Sequence, residues 1–175
     1  ELHFNTSSIL VAYAQSNVYD EELFTTILDS MSQSMDCIEY RNAADAVYAM
    51  SLVRMKHEKY LQAVDREFRI HHAKIDIVPF SIVARALVNL NYLNPVSFLV
   101  DVIVKRSNEW TYFDLAHWSG LALKPPCANY KKPLLDAIAR ESDRLLPGTP
   151  PVYVCSAFHS TAMLAAELKE TDHPV

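Results

Sequence analysis

Glycine is nearly absent from this 175-residue chain: only Gly120 and Gly148 occur. A phosphate-binding loop or a dinucleotide turn needs several glycines so that backbone can approach phosphate, so both chemistries are excluded. Cysteine is sparse and unpaired in pattern. Cys37, Cys127 and Cys155 are odd in number and contain no CxxC, which argues against a disulfide scaffold or zinc knuckle and for a reducing compartment. Long apolar runs are missing too. "SFLVDVIV" is short and carries a charge, and no segment approaches the ~20 apolar residues of a membrane helix. Residues 1–40 hold seven acids and no Lys or Arg. The opening "ELHFN" has no basic stretch or cleavage site, so a targeting peptide is absent or already removed.

What is present is a soluble-domain composition, half apolar and about a fifth charged, with a net charge of −5. That charge is uneven. Residues 41–106 carry ten bases against six acids, and residues 107–175 carry six against eight. Nucleic-acid modules present a basic face, and only the middle third offers one.

A shift of 37 residues aligns the chain with itself. It stacks Ala12, Ala49 and Ala86; Phe24, Leu61, Phe98 and Leu135; Val18, Met55 and Tyr92. A fixed large apolar position in four copies is a repeat signal. Each copy reads as two helices. "SSILVAYAQS" places Ile9, Leu10, Tyr13 and Ser16 on one inward side, and Asn17 ends it. Asp20 caps a second helix with Glu21 and Glu22 in its first turn and Leu23, Phe24, Ile27, Leu28 and Met31 on its apolar face. In the third copy Asn94 is the cap and Pro95 the first helical residue, and Pro79 opens "FSIVARALVNL" in the same way. The fourth copy is looser: "KPPCANYKKP" lengthens its turn, and after "PGTPP" there follows one more first helix and a stub. The expected fold is all-α, an α-solenoid of helix-turn-helix repeats at 5–39, 40–76, 77–109 and 110–147 with a partial copy at 150–170, forming one segment over 1–175. An irregular helical bundle is the alternative. Because each hairpin has an apolar face it cannot cover alone, the chain is expected to belong to a longer array or to be capped by a partner.

The unit "SILVAYAQSNVYDEELFTTILDSM" resembles the repeats of the FAST-kinase, octotricopeptide and heptatricopeptide proteins. Ala12, Tyr13, Ala14, Asn17, Val18, Tyr19, Asp20, Leu23 and Phe24 carry the match, repeated at Ala86, Leu87, Asn91, Tyr92, Asn94 and Phe98. The likeness covers residues 5–106 well and 107–168 poorly, and pentatricopeptide repeats fit the period less well. It implies a mitochondrial or chloroplast setting and a role in RNA stability, processing or translation. The strand-rich RAP domain that ends many such proteins is not evident here, so nuclease activity has no support.

Solenoids of this type hold RNA along the first-helix face, one base per repeat. The columns on that face read Ser8, Val11, Gln15; Asp45, Tyr48, Leu52; Ile82, Arg85, Asn89. Gln15, Tyr48, Arg85 and Asn89 are candidates to contact bases, and Lys56, Lys59, Arg66, Arg69, Lys105 and Arg106 to hold phosphates. The competing reading is an ordinary solvated or protein-binding face. Asn17, Arg54 and Asn91 also fall 37 apart, which helix termination accounts for at the two asparagines. Trp110, Tyr112, Phe113 and Trp118 form the densest aromatic cluster, read as core or as an anchor for a partner chain. Cys155 and His159 share a helix face without an orienting acid, a buried thiol being the commoner fate of such a cysteine. His57, His71 and His72 do not assemble a metal site. No catalytic residue, metal, cofactor or small-molecule substrate is expected. The expected function is a non-enzymatic component of a mitochondrial RNA-handling particle that binds RNA, neighbouring subunits or both; the alternative is a protein scaffold that never touches RNA.

Overall fold

The computed structural model describes residues 6–171, apart from the side chains of residues 125, 126, 128, 164 and 167–171. No strand occurs among the described residues. The helices are α1 (Thr6–Gln15), α2 (Glu21–Gln33), α3 (Tyr40–Val53), α4 (Glu58–His71), α5 (Ile77–Asn89), α6 (Val96–Lys105), α7 (Tyr112–Ala122), α8 (Lys131–Leu145) and α9 (Pro151–Thr171). Two compact units divide the chain, Glu1–Leu99 and Val100–Val175, so the division falls inside α6 and inside the repeat read as 77–109. Residue 5, where the first repeat was placed, lies outside the described residues.

In the first unit the helix ends follow from local chemistry. Asn17, Arg54 and Asn91 all have positive φ, at 56°, 57° and 53°. Each lets the chain turn left-handed just past α1, α3 or α5. The N–H groups of Val18, Met55 and Tyr92 then donate back to the carbonyls of Tyr13, Met50 and Leu87 at 2.9–3.0 Å, satisfying orphaned helix-end acceptors. Asparagine tolerates this backbone, whereas arginine does so at a cost of about 1–2 kcal/mol. Replacing Arg54 with glycine removes that strain and adds about 0.5–1 kcal/mol of chain entropy. We therefore expect Arg54→Gly to stabilise the first unit by roughly 0.5–1 kcal/mol. A urea midpoint unchanged or lowered would contradict this.

Helix starts agree with expectation at Asp20 and differ at Asn94 and Pro79. Asp20 accepts from the Leu23 N–H at 3.0 Å. His57 is the equivalent cap of α4, its Nδ1 accepting from Tyr60 N–H at 3.2 Å. Asn94 is not the cap of α6. The carbonyl of Pro95 accepts the first helical bond, from Leu99 N–H at 3.2 Å, so Pro95 takes the cap position and the helix begins at Val96. Pro79 is the third residue of α5, not the first; a missing N–H is harmless throughout the first turn because those donors have no helical partner.

Helices α1, α3 and α5 pack side by side in that order, and α2 packs on α4. The close approach of α3 to both neighbours follows from its alanines: Ala43, Ala44, Ala46 and Ala49 are all buried. Tyr60 on α4 is buried as well, and its hydroxyl donates to the Ala43 carbonyl at 3.1 Å, tying the hairpin together. Phe24, Leu28 and Met31 make the buried stripe of α2, each contributing about 1.5–3 kcal/mol, with Leu23 and Ile27 half-buried beside them. On α1 the inward side is Ser7, Leu10 and Ala14; of the expected set Ile9, Leu10, Tyr13 and Ser16, only Leu10 is buried. Small side chains are chosen here because α3 comes close, and the larger apolar ones turn away.

In the second unit α7 packs on α8 and α9, and α8 packs on α9. Thr111 and Asp114 form a reciprocal capping box at the start of α7, with Thr111 N–H and Oγ1 donating to Asp114 at 3.0 and 2.8 Å. The long turn after α7 is a 3₁₀ segment, Pro125–Tyr130, and Lys131–Pro133 already belong to α8. Cys127 is buried there, and burial pushes its thiol pKa up. The expected helix-plus-stub at the end is one helix of 21 residues.

Candidate functional site

The outward positions of the first-helix row line two grooves in the first unit. Between α1 and α3 a groove is lined by Ser8, Val11, Ala12, Gln15, Arg41, Asp45 and Tyr48. It brings together Gln15 and Tyr48, two of the residues singled out from sequence. Between α3 and α5 a second groove is lined by Ser51, Leu52, Arg54, Asn89 and Leu90. Gln15 and Asn89 occupy corresponding positions of their helices and are exposed, while Tyr48 is half-buried and lines the first groove. Arg85 is half-buried on the same helix as Asn89 but does not line this groove.

Two groove cations were not singled out as ligand contacts. Arg41 precedes Asp45 by one helical turn, and its Nε lies 3.3 Å from that carboxylate, so the first groove is close to neutral. Arg54 stands in the second groove at its left-handed position, exposed. A signal for both existed: Arg41 and Asp45 have the i, i+4 spacing of a solvated helical pair, and Arg54 shares its 37-residue column with the two asparagines.

The six cations proposed for phosphates lie elsewhere. Lys59, Arg66 and Arg69 are on α4, whereas Lys56 is in the turn before it, donating to the Asn91 carbonyl at 3.4 Å. Lys59 binds Asp29 at 2.9 Å, and that hydrogen bond holds the exposed Asp29 carboxyl below its usual range. Arg66 pairs with Glu67 at 3.4 Å. Arg69 pairs with Asp65 at 2.8 Å and lies over the Phe98 ring, 4.6 Å from its centroid. Lys105 and Arg106 belong to the second unit. Arg106 grips Glu109 through Nε and Nη2 at 2.8 and 2.6 Å, lowering the Glu109 pKa, and Lys105 is exposed.

Trp110 and Trp118 are not surface anchors. Both are buried, stacked with centroids 6.5 Å apart, and the Trp110 indole N–H donates to the Ile103 carbonyl at 3.1 Å. Apolar area this large is withdrawn from water by the second unit's own core. Tyr112 is half-buried against Phe113 and Tyr153, with centroids at 4.3 and 5.6 Å, and Phe113 is the exposed member of that trio. Tyr153 was not singled out, because its contact with the pair is set by tertiary packing of α9 on α7.

Cys155 and His159 are both exposed, contrary to the buried thiol expected, since that side of α9 faces away from α7 and α8. His71 sits 3.6 Å from Glu67, and His72 packs edge-on to Phe98. Among the described residues no three His, Cys, Asp or Glu side chains gather as metal ligands, and no helix is long and apolar enough to cross a membrane. Compared with known proteins, the chain matches no family model, no curated protein and no solved structure.

Proposed function

We propose that the chain is a segment of an α-solenoid with a 37-residue helix-turn-helix unit, a non-enzymatic component of an RNA-handling particle that holds single-stranded RNA along the first-helix face. The observation that carries this reading is the pair of successive grooves on one row of helices, with Gln15 and Tyr48 in one and Arg54 and Asn89 in the next. Amide side chains recognise base edges by hydrogen bonding, an aromatic ring offers a stacking surface, and a guanidinium serves either a base or a phosphate. Left-handed residues at 17, 54 and 91 support the repeat, because they end α1, α3 and α5 alike. The mitochondrial setting and the ribonucleoprotein partners implied by the family resemblance belong to the same proposal.

A second reading, a protein-binding scaffold, is favoured by a different observation. Lys59, Arg66, Arg69 and Arg106 are each engaged by a carboxylate of this chain, which lowers the positive potential available to a polyanion.

Fluorescence anisotropy with a labelled 12-nucleotide single-stranded RNA separates the two. RNA binding predicts affinity that falls steeply between 50 and 200 mM salt. It also predicts a loss of about 5- to 150-fold for Tyr48→Ala, since stacking on an aromatic ring is worth about 1–3 kcal/mol per base. Lys56→Gln should flatten the salt dependence. Absence of binding at the lowest salt, or a Tyr48→Ala variant that binds like the parent, would discard the RNA reading for the scaffold.

A further inference from the structure

The second groove differs from the first in what it offers a ligand. Its lining residues, Ser51, Leu52, Arg54, Asn89 and Leu90, include no aromatic ring and no carboxylate, whereas the first groove holds Tyr48 and the Arg41–Asp45 pair. Both of its walls, α3 and α5, lie within the first unit. The Ser51 hydroxyl donates to the Tyr48 carbonyl at 2.7 Å, so towards a ligand it can only accept. Donors to a ligand therefore come from the Arg54 guanidinium and the Asn89 amide. A base finds no ring to stack on here, and a compact group rich in acceptors suits the lining better.

Arg54 is distinctive in two ways. Arg41, Arg66, Arg69, Arg106, Arg140 and Arg144 each lie within 3.5 Å of a carboxylate of this chain. Among the described residues no carboxylate pairs with Arg54, which is exposed and lines the groove. Its backbone is also left-handed, with φ 57°, at the same point of the repeat where Asn17 and Asn91 end their helices. Asparagine or glycine performs that backbone task with less strain, so helix termination gives no reason for a guanidinium here. Strain of this kind persists where the side chain has a task of its own. Lys56 adds a second positive charge at this end of the groove. It follows Arg54 by two residues, and its Nζ donates to the carbonyl of Asn91, the neighbour of the lining residue Leu90. Glu58, the acid closest to Arg54 in sequence, is engaged by the Tyr92 hydroxyl.

We infer that the second groove is a phosphate seat, in which Arg54 grips a phosphodiester of the RNA backbone with Asn89 and Lys56 beside it. The inference rests on the RNA reading of the first-helix face and divides the work on that face. The ring of Tyr48 takes a base, and the guanidinium of Arg54 takes the charge. A planar guanidinium matches two phosphate oxygens at once, and such a contact fixes the position of the strand without reading its sequence. The strain at Arg54 is thereby offset by affinity for the strand.

The test compares the parent with Arg54→Asn, which keeps a residue suited to the left-handed turn and removes the charge. Anisotropy with labelled 12-nucleotide oligo-U, oligo-A and oligo-C should show about a tenfold loss of affinity, equal for the three, as expected for one lost charge-assisted contact. The slope of log affinity against log salt should fall by about 0.7, the contribution of one phosphate on a single strand. Thermal melting should be unchanged or raised, which separates the loss from unfolding. A loss confined to one base, an unchanged salt slope or parental affinity would each overturn the proposal. A second readout needs no RNA. The Nε–H resonance of Arg54 in arginine-labelled chain, identified by its absence from Arg54→Asn, should move on adding inorganic phosphate and stay in place with acetate. If no RNA binds but the phosphate shift is present, the RNA reading falls and the phosphate seat stands, filled from another source. If RNA binds but phosphate moves nothing, the seat alone is wrong. An equal shift with acetate would assign the groove to a carboxylate of a protein partner and overturn the inference.

Discussion

Truncating Trp118 to alanine is expected to cost the second unit about 3–5 kcal/mol, the range for removing a fully buried large aromatic side chain. Trp118 has no exposed surface and stacks on Trp110, which is itself buried, so the void would open in the middle of the core. The chain contains two tryptophans, and both lie in the second unit. Fluorescence of the remaining Trp110 during urea unfolding therefore reports on that unit alone. The companion variant Trp118→Phe separates packing from polarity. The Trp118 indole N–H is buried with no acceptor among the described residues, and an unsatisfied buried donor costs about 1–3 kcal/mol. Phenylalanine deletes that donor along with part of the ring, so its net loss should stay below about 1.5 kcal/mol. If Trp118→Ala unfolds within 1 kcal/mol of the parent, the stacked pair is not the centre of this core.

The same tryptophans show where sequence is informative and where it is not. Their dominance was visible as an aromatic cluster, but residue type cannot say whether an aromatic faces inward or toward a partner; burial depends on what the fold brings against it. Helix ends were more legible. Asn17, Asp20 and Asn91 act through bonds to residues three to five positions away, so a short stretch of sequence contains the whole interaction. Asn94 failed as a cap because the neighbouring Pro95 carbonyl served one position later, a choice within the normal fraying of helix boundaries.

The face of α1 was misread for a longer-range reason. Ile9 and Tyr13 are the large apolar residues, and hydrophobicity alone turns them inward. Contact with α3 favours small residues, since four buried alanines bring its backbone close. For the grooves, periodicity selected the outward columns, and Gln15, Tyr48 and Asn89 line them. Which cations join them depended on ion pairing. Lys59 is held by Asp29, 30 residues earlier, and no local pattern encodes that pairing.

Glu141 provides the second large effect, and it depends on pH. Its carboxylate is buried on α8, accepting from the Ser107 hydroxyl at 2.8 Å and from Arg144 Nε at 3.0 Å, with Arg140 Nε at 3.5 Å. Arg144 reaches on to the carbonyls of Ser107 and Trp110 at 3.2 and 3.1 Å, and Arg140 Nη2 donates to Ser107 Oγ at 2.7 Å. The cluster thus binds α8 to the turn that precedes α7. Burial acts to raise the Glu141 pKa, but the hydrogen bonds from Ser107, Arg144 and Arg140 outweigh it, and the folded-state value is lowered. A carboxyl that is more acidic folded than unfolded adds stability above its unfolded pKa of about 4.3. That stability is lost as pH falls below this point and through the folded value. Glu141→Ala should cost about 2–3 kcal/mol at pH 7, because charge-assisted bonds disappear and the buried Ser107 hydroxyl loses its acceptor. Glu141→Gln keeps the shape and an acceptor oxygen, so it should cost about 1–2 kcal/mol at pH 7 and progressively less below pH 4, where the parent carboxyl is itself protonated. Urea midpoints of the parent and Glu141→Gln at pH 7, 5 and 3.5 test this. A gap of constant size across that range would mean that the charge on Glu141 contributes nothing and that its packing alone holds α8 in place.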